Sequence, residues 1–216
     1  MFEEGVRPLF PLHAIIDAET AARAGWPAVD LAKAVLDGGA RMLQVRVKAA
    51  SGAEFLDTAS PIVALAHQTD SLAIVNDRAD IAALSGADGV HVGQDDLPPA
   101  LVRKIVGDRA IVGLSTHTVP QLIAACDTPV TYVAIGPVFA TGTKATGYEP
   151  LGLDAVRAAA AIARARAMPL VAIGGITLDN ARSVLDAGAA SVAVIGDLLN
   201  TGDPRARVRA YLSALA

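Results

Sequence analysis

The sequence predicts a (β/α)8 barrel of parallel strands, one domain spanning residues 1–216. Three observations carry that prediction. Eight short aliphatic runs recur along the chain at spacings of roughly 20 to 30 residues, each too short for anything but a buried strand. Longer segments with helical spacing separate them, and such alternation implies an all-parallel sheet. The runs are also nearly continuous in Ala, Val, Ile and Leu, as strands are when both faces are covered. Eight such units in 216 residues suit a compact barrel near the short end of that fold's range. The alternative, an open doubly wound sheet, lacks support: no Gly-x-Gly-x-x-Gly follows the first run.

The first strand is LHAII. In WPAVDLAKAVLDGG, Val29, Ala32, Val35 and Leu36 form a helical apolar face, and two glycines stop it. RMLQV follows as the second strand. AEFLDTASPIVALAHQ reads as a helix whose Pro61 implies either a kink or a start at a second turn. LAIV and GVHV are the third and fourth strands. LPPALVRKIVG opens with prolines and closes with Gly107, the favoured helix asymmetry. AIVGL, helical VPQLIAACD, TYVAI, helical LGLDAVRAAAAIARARA, LVAIG, helical LDNARSVLDAGA and SVAVI continue the alternation. DPRARVRAYLSALA closes the chain as a helix. A Gly-Ala-x pattern in GGARM, SGADGV and AGAASV ends helices ahead of the second, fourth and eighth strands, a weak internal similarity of half-barrel units. No linker or low-complexity stretch suggests a second domain.

Composition narrows the function. The chain is 53% hydrophobic, 19% charged and only 4% aromatic, which favours close-packed aliphatic elements over an interaction module. A net charge of −4 supplies no global field for nucleic acid, so any anion site must be local. The single cysteine, Cys126, excludes an intramolecular disulfide and a thiol cluster for zinc; in QLIAACD it reads as a small core residue. The start MFEEGVRPLF lacks the pattern of a signal peptide, and no apolar run is long enough for a bilayer. The expectation is a cytoplasmic protein without membrane contact; a homo-oligomer is allowed by the sequence, not indicated by it.

Barrel sites lie where strands end, so polar residues should collect directly after the apolar runs. They do. Gln44, Arg46 and Lys48 alternate with Val45 and Val47, which places an amide, a guanidinium and an ammonium on one face. Together they can hold a phosphate or diphosphate. Asn76-Asp77-Arg78 follows the third strand, and Gln94-Asp95-Asp96 the fourth. Each group reads alone as a helix N-cap. Side by side, Asp77 and Asp96 resemble a magnesium site, where one or two carboxylates and phosphate oxygens share the ion. Ser115 and His117 follow the fifth strand; Ser115 binds ligand or caps a helix, and His117 is an acid or base without an evident partner. The sixth strand runs into GPVFATGTKATGY, with Thr141, Thr143 and Lys144 around Gly142. Gly174-Gly175 and Ile195-Gly196 close the seventh and eighth strands, where glycines let backbone N–H groups approach a phosphate. The reading is two anion subsites, one basic and magnesium-assisted, the other neutral and backbone-rich, taking small phosphorylated substrates.

QVRVK, VNDRADIAALSGADGVHVGQDDLP, GLSTHT, GPVFATGTK, AIGGI and VAVI, in this order over about 150 residues, resemble the thiamine phosphate synthase family. The resemblance implies a (β/α)8 transferase that joins hydroxymethylpyrimidine diphosphate to a thiazole phosphate with release of pyrophosphate. It implies that Gln44, Arg46, Lys48, Asn76, Ser115 and Lys144 bind the pyrimidine diphosphate, with Arg46, Lys48 and Lys144 catalytic. It implies that Asp77 and Asp96 bind Mg2+, and that Thr141, Thr143, Gly175, Ile195 and Gly196 bind the thiazole phosphate. The chain departs from the family pattern at Gly196, where serine is frequent, and in LHAIIDAE, which lacks a tyrosine often seen there. Two alternatives stand beside it: a thiazole tautomerase-like relative, compatible with His117, and a non-catalytic barrel that binds a thiamine precursor.

Overall fold

The structure, a computed structural model, describes residues 9–141 and 147–216. The eight expected strands are all present. They are β1 (Leu12–Asp17), β2 (Met42–Arg46), β3 (Leu72–Asn76), β4 (Gly89–Val92), β5 (Ile111–Thr116), β6 (Tyr132–Ile135), β7 (Leu170–Ile173) and β8 (Ser191–Val194). Each pairs in parallel with the next, and β8 pairs back with β1, so the barrel closes.

The helices fill the connections: α1 (Ala18–Arg23), α2 (Ala28–Asp37), α3 (Gly52–Gln68), α4 (Ala79–Ser85), α5 (Pro99–Val106), α6 (Val119–Cys126), α7 (Gly152–Arg164), α8 (Leu178–Asp186) and α9 (Pro204–Leu215). A 3-10 turn, Gly196–Leu199, precedes α9. Two of these helices were not among the segments with helical spacing. α1 and α4 have only six and seven residues, too short to display a face twice. Of the two alternatives at Pro61, α3 excludes a late start: it begins well before the proline, at Gly52, on a capping box in which Ser51 and Glu54 satisfy each other's backbone N–H groups.

Strand parity divides the aliphatic residues into two cores. Leu43 and Val45, Ala73 and Val75, Val112 and Leu114, Val133 and Ile135 point outward, into the shell between barrel and helices. The alternate residues Ile15, Met42, Leu72, Ile74, Ile111, Tyr132, Ala134, Val171 and Ala193 fill the barrel interior. Near the C-terminal ends of the strands the inward set changes from aliphatic to polar: Asp17, Gln44, Arg46, Asn76 and His91 are all buried. The register holds them level, with Ile15 opposite Gln44, Asp17 opposite Arg46, and Asn76 opposite His91. No helix among the described residues is long and apolar enough to cross a membrane.

Candidate active site

The barrel mouth opens on a cavity of about 320 Å³. Its floor carries residues that sequence reasoning did not single out. His13 on β1 lies with Nε2 3.3 Å from the Gln44 amide nitrogen. Burial, and then the neighbouring His91, push the His13 pKa down to about 3, so the ring is neutral. Its Nε2 accepts from the Gln44 amide, which leaves the amide oxygen for a ligand. His91 on β4 is held at both nitrogens: Nδ1 lies 2.8 Å from the Tyr132 hydroxyl and Nε2 2.8 Å from the Ser115 hydroxyl. The His91 and Tyr132 rings stack at 5.5 Å. Burial raises the Tyr132 pKa, so the phenol keeps its proton. Gly113 makes room for this pair, since a Cβ there would stand 2.2 Å from Tyr132 Cζ and 2.5 Å from His91 Nδ1. The available signal was a single histidine inside each of the runs LHAII and GVHV, at the inward parity.

Ser115 therefore faces the cavity and does not cap a helix; α6 is capped by Thr118, whose hydroxyl accepts from the Gln121 N–H. His117 also lines the cavity. Its Nδ1–H donates to the Gly136 carbonyl at 2.6 Å, and its ring stacks on Tyr148 at 4.1 Å.

The rim formed by β2, β3 and β4 is charged. Arg46 donates to Asp17, and both side chains are buried, at 10% and 3% exposed. Lys48, just past the end of β2, donates to Asp77 from a half-exposed position. Asp77 and Asp96 lie in direct contact. Burial, followed by the Asp77 carboxyl beside it, raises the Asp96 pKa, even though Asp96 accepts from the Gly93 N–H at 2.7 Å. Neither carboxylate caps a helix: the N-cap positions of α4 and α5 are Arg78 and Pro98, and neither makes a side-chain cap. Two carboxylates driven together at a rim, with an ammonium on one of them, form an oxygen-rich donor set of the kind a hard divalent cation takes, with phosphate oxygens completing its shell. Asp95 is exposed and Gln94 donates to the Ser115 carbonyl at 2.6 Å, so the loop is tied to β5.

The opposite half, from β5 to β8, is neutral. Thr141, Gly174, Gly175, Ile195 and Gly196 line the cavity with Ala134, Pro137 and Ile176. Gly175 has φ +63, and a Cβ there would lie 2.5 Å from the Ala140 carbonyl oxygen, so only glycine lets the loop after β7 pack this closely on the loop after β6. Two backbone bonds fasten the same loops, Val138 N–H to Ile173 at 2.9 Å and Phe139 N–H to Gly174 at 3.0 Å. Gly196 opens the 3-10 turn after β8, where barrels commonly place a short extra helix against a phosphate. Thr143 and Lys144 lie outside the described residues.

Of the expected residues, Gln44, Ser115, Thr141, Gly175, Ile195 and Gly196 meet around the cavity. Arg46, Lys48, Asn76, Asp77 and Asp96 gather on the adjoining rim. The sequence profile of the thiamine monophosphate synthase family matches residues 12–198. A thiamine-phosphate synthase of Koribacter versatilis is 45% identical over 206 residues, 94% of this chain and 95% of that one. One of Chlorobium luteolum is 42% identical over 187 residues, 87% of each chain. The thiamine phosphate pyrophosphorylase of Pyrococcus furiosus superposes with a TM-score of 0.83 at 30% identity, covering 94% of both chains. The chain belongs to the thiamine monophosphate synthase family.

Proposed function

We propose that this transferase joins hydroxymethylpyrimidine diphosphate to a thiazole phosphate, making thiamine phosphate and pyrophosphate. The observation that carries the reading is the division of the mouth: a rim of cations and touching carboxylates beside a neutral cavity. A diphosphate suits the first, and a monophosphate attached to an apolar ring suits the second.

Gln44 offers its amide oxygen to the exocyclic amine of the pyrimidine, oriented by neutral His13. Arg46, Lys48, Asn76, Ser115 and Lys144 bind the diphosphate. Thr141, Thr143, Gly175, Ile195 and Gly196 bind the thiazole phosphate. The bond between the pyrimidine methylene carbon and the diphosphate oxygen breaks first, and the electron pair leaves with the oxygen. Arg46, Lys48 and Lys144 stabilise the charge that builds on that leaving group. The thiazole ring nitrogen then donates its lone pair to the methylene carbon, forming the new C–N bond and the thiazolium cation. No general base is required, because no proton is removed in either step. Asp77 and Asp96 are the residues that would hold Mg2+. When bound, the ion supplies charge neutralisation to the leaving diphosphate.

A synthesis assay with both substrates, reading thiamine phosphate and pyrophosphate together, tests the proposal. The expected result is equimolar, magnesium-dependent formation of the two products. Binding of both substrates without product supports the precursor-binding alternative. A shift of a double bond in a thiazole precursor, and nothing more, supports the tautomerase-like alternative.

A further inference from the structure

Asp197 follows Gly196 at the end of β8 and forms part of the cavity wall. Its side chain is only 6% exposed, and donors from three directions enclose it. The Leu178 N–H at the start of α8 donates to Oδ2 at 3.0 Å. Asn200 Nδ2 donates to Oδ1 at 3.2 Å. From α9, Arg207 Nη2 reaches Oδ1 at 2.9 Å and Oδ2 at 2.7 Å, and its Nε reaches Oδ2 at 3.1 Å. The Tyr211 hydroxyl, also from α9, donates to Oδ2. Arg207 Nε further contacts the Asp197 backbone carbonyl at 3.2 Å, and the guanidinium lies 5.7 Å from the Tyr211 ring centre.

Two physical consequences follow. A carboxylate one residue from an anion subsite repels the anion unless its charge is matched, and among the described residues Arg207 is the cation that touches it. A guanidinium that grips both the side chain and the carbonyl of one residue also fixes that residue's backbone, and here that backbone continues directly into Ile195 and Gly196. Asp197 therefore offers nothing to a ligand in place of a hydroxyl at position 196. Its oxygens are committed to α8 and α9.

We infer that Arg207, supported by Tyr211, is a positioning residue for the monophosphate subsite: it cancels the charge of Asp197 and holds the loop after β8 in a shape that accepts an anion. The C-terminal helix thus takes part in substrate binding without touching substrate. This inference rests on the reading of the neutral half as the monophosphate site.

The test compares wild-type protein with Arg207→Met, Arg207→Lys, Asp197→Asn and the double variant Asp197→Asn/Arg207→Met. KM for each substrate, kcat and the melting temperature are measured for all. Arg207→Met is expected to raise KM for the thiazole phosphate by about tenfold, the scale of one uncancelled nearby charge, while KM for the pyrimidine diphosphate stays within about twofold. Arg207→Lys restores part of the loss, because it returns the charge without the fork. The double variant also restores part of it, since the asparagine side chain keeps an acceptor for the Leu178 N–H and no charge is left unmatched, although the fork is gone. Equal rises in both KM values, an unchanged thiazole phosphate KM in Arg207→Met, or no recovery in the double variant overturns the inference. If Arg207→Met does not fold, Asp197→Asn decides: it should leave the thiazole phosphate KM unchanged or lower, and a rise of about tenfold contradicts the charge argument. A wild-type protein that makes no thiamine phosphate removes the subsite reading, and this inference with it, whatever the variants do.

Discussion

The two halves of the barrel mouth are organised in opposite ways. On the β2–β4 rim the strong charges lie against one another. Arg46 is on Asp17, Lys48 is on Asp77, and Asp77 touches Asp96. In the β5–β8 half the described cavity wall combines glycines and apolar residues with Ser115, His117, Tyr132 and threonines, and the carboxylate of Asp197 is turned into the α8–α9 network. The first half is organised by charge, and under the proposed function its ion pairs exchange partners with the diphosphate. The second is organised by volume. Substitutions should therefore act differently on the two sides, and the difference can be measured.

The largest effect is expected at the carboxylate pair. Asp96→Ala should lower kcat by at least about a hundredfold, the scale seen when one electrostatic group is removed from a transition-state site. Its stability should be unchanged or raised, because a like-charge contact disappears. Circular dichroism and a melting curve beside the synthesis assay check both halves of this statement. Full activity in Asp96→Ala removes the metal assignment.

Arg46→Met comes next. It leaves the buried Asp17 without its cation, which should cost about 3–5 kcal/mol in a denaturant titration. The neutral half should respond to size instead. Gly113→Ala adds one methyl where Tyr132 and His91 already sit, for an expected loss of about 1–3 kcal/mol. A neutral outcome there means that the His91–Tyr132 pair can shift, and that the cavity floor is not rigid.

His13 adds a pH dependence. Its folded pKa, about 3, lies below the ordinary value of 6.5, so the unfolded chain takes up a proton first as the pH falls. The contribution of neutral His13 is complete above pH 6.5 and is lost on descending towards about 3, where the folded chain protonates as well. Unfolding measured across this window should show up to about 1.4 kcal/mol per pH unit more slope in wild-type protein than in His13→Gln. The smallest stability effect belongs to Lys48→Ala. Its ion pair is half exposed, so less than about 1 kcal/mol is expected, although diphosphate binding should suffer.

The strands, their order and the charged rim were legible in the sequence, because each rests on a local pattern. Period-two alternation exposed Gln44, Arg46 and Lys48, and the abrupt end of each apolar run marked the mouth. Asp77 and Asp96 were ambiguous between helix caps and a carboxylate pair for a cation, since both roles use the same residue type at the same place. The structure removes only the cap reading, because Arg78 and Pro98 occupy the N-cap positions. The His13–Gln44 and His91–Tyr132 contacts depend on register between strands 31 and 41 positions apart, which no local spacing encodes. Arg207 was hidden for a related reason. In DPRARVRAYLSALA it is one arginine of three on a surface helix, and only the packing of α9 against the loop after β8 distinguishes it.

The claim that the mouth is divided is tested most directly by calorimetric titration of the two phosphate ligands separately, with and without magnesium. Pyrophosphate should bind only with magnesium present, and its binding should vanish in Asp96→Ala. The thiazole phosphate should bind with an affinity that magnesium changes by less than about twofold, a difference below roughly 0.5 kcal/mol. Equal magnesium dependence for both ligands, or pyrophosphate binding that survives in Asp96→Ala, contradicts the account.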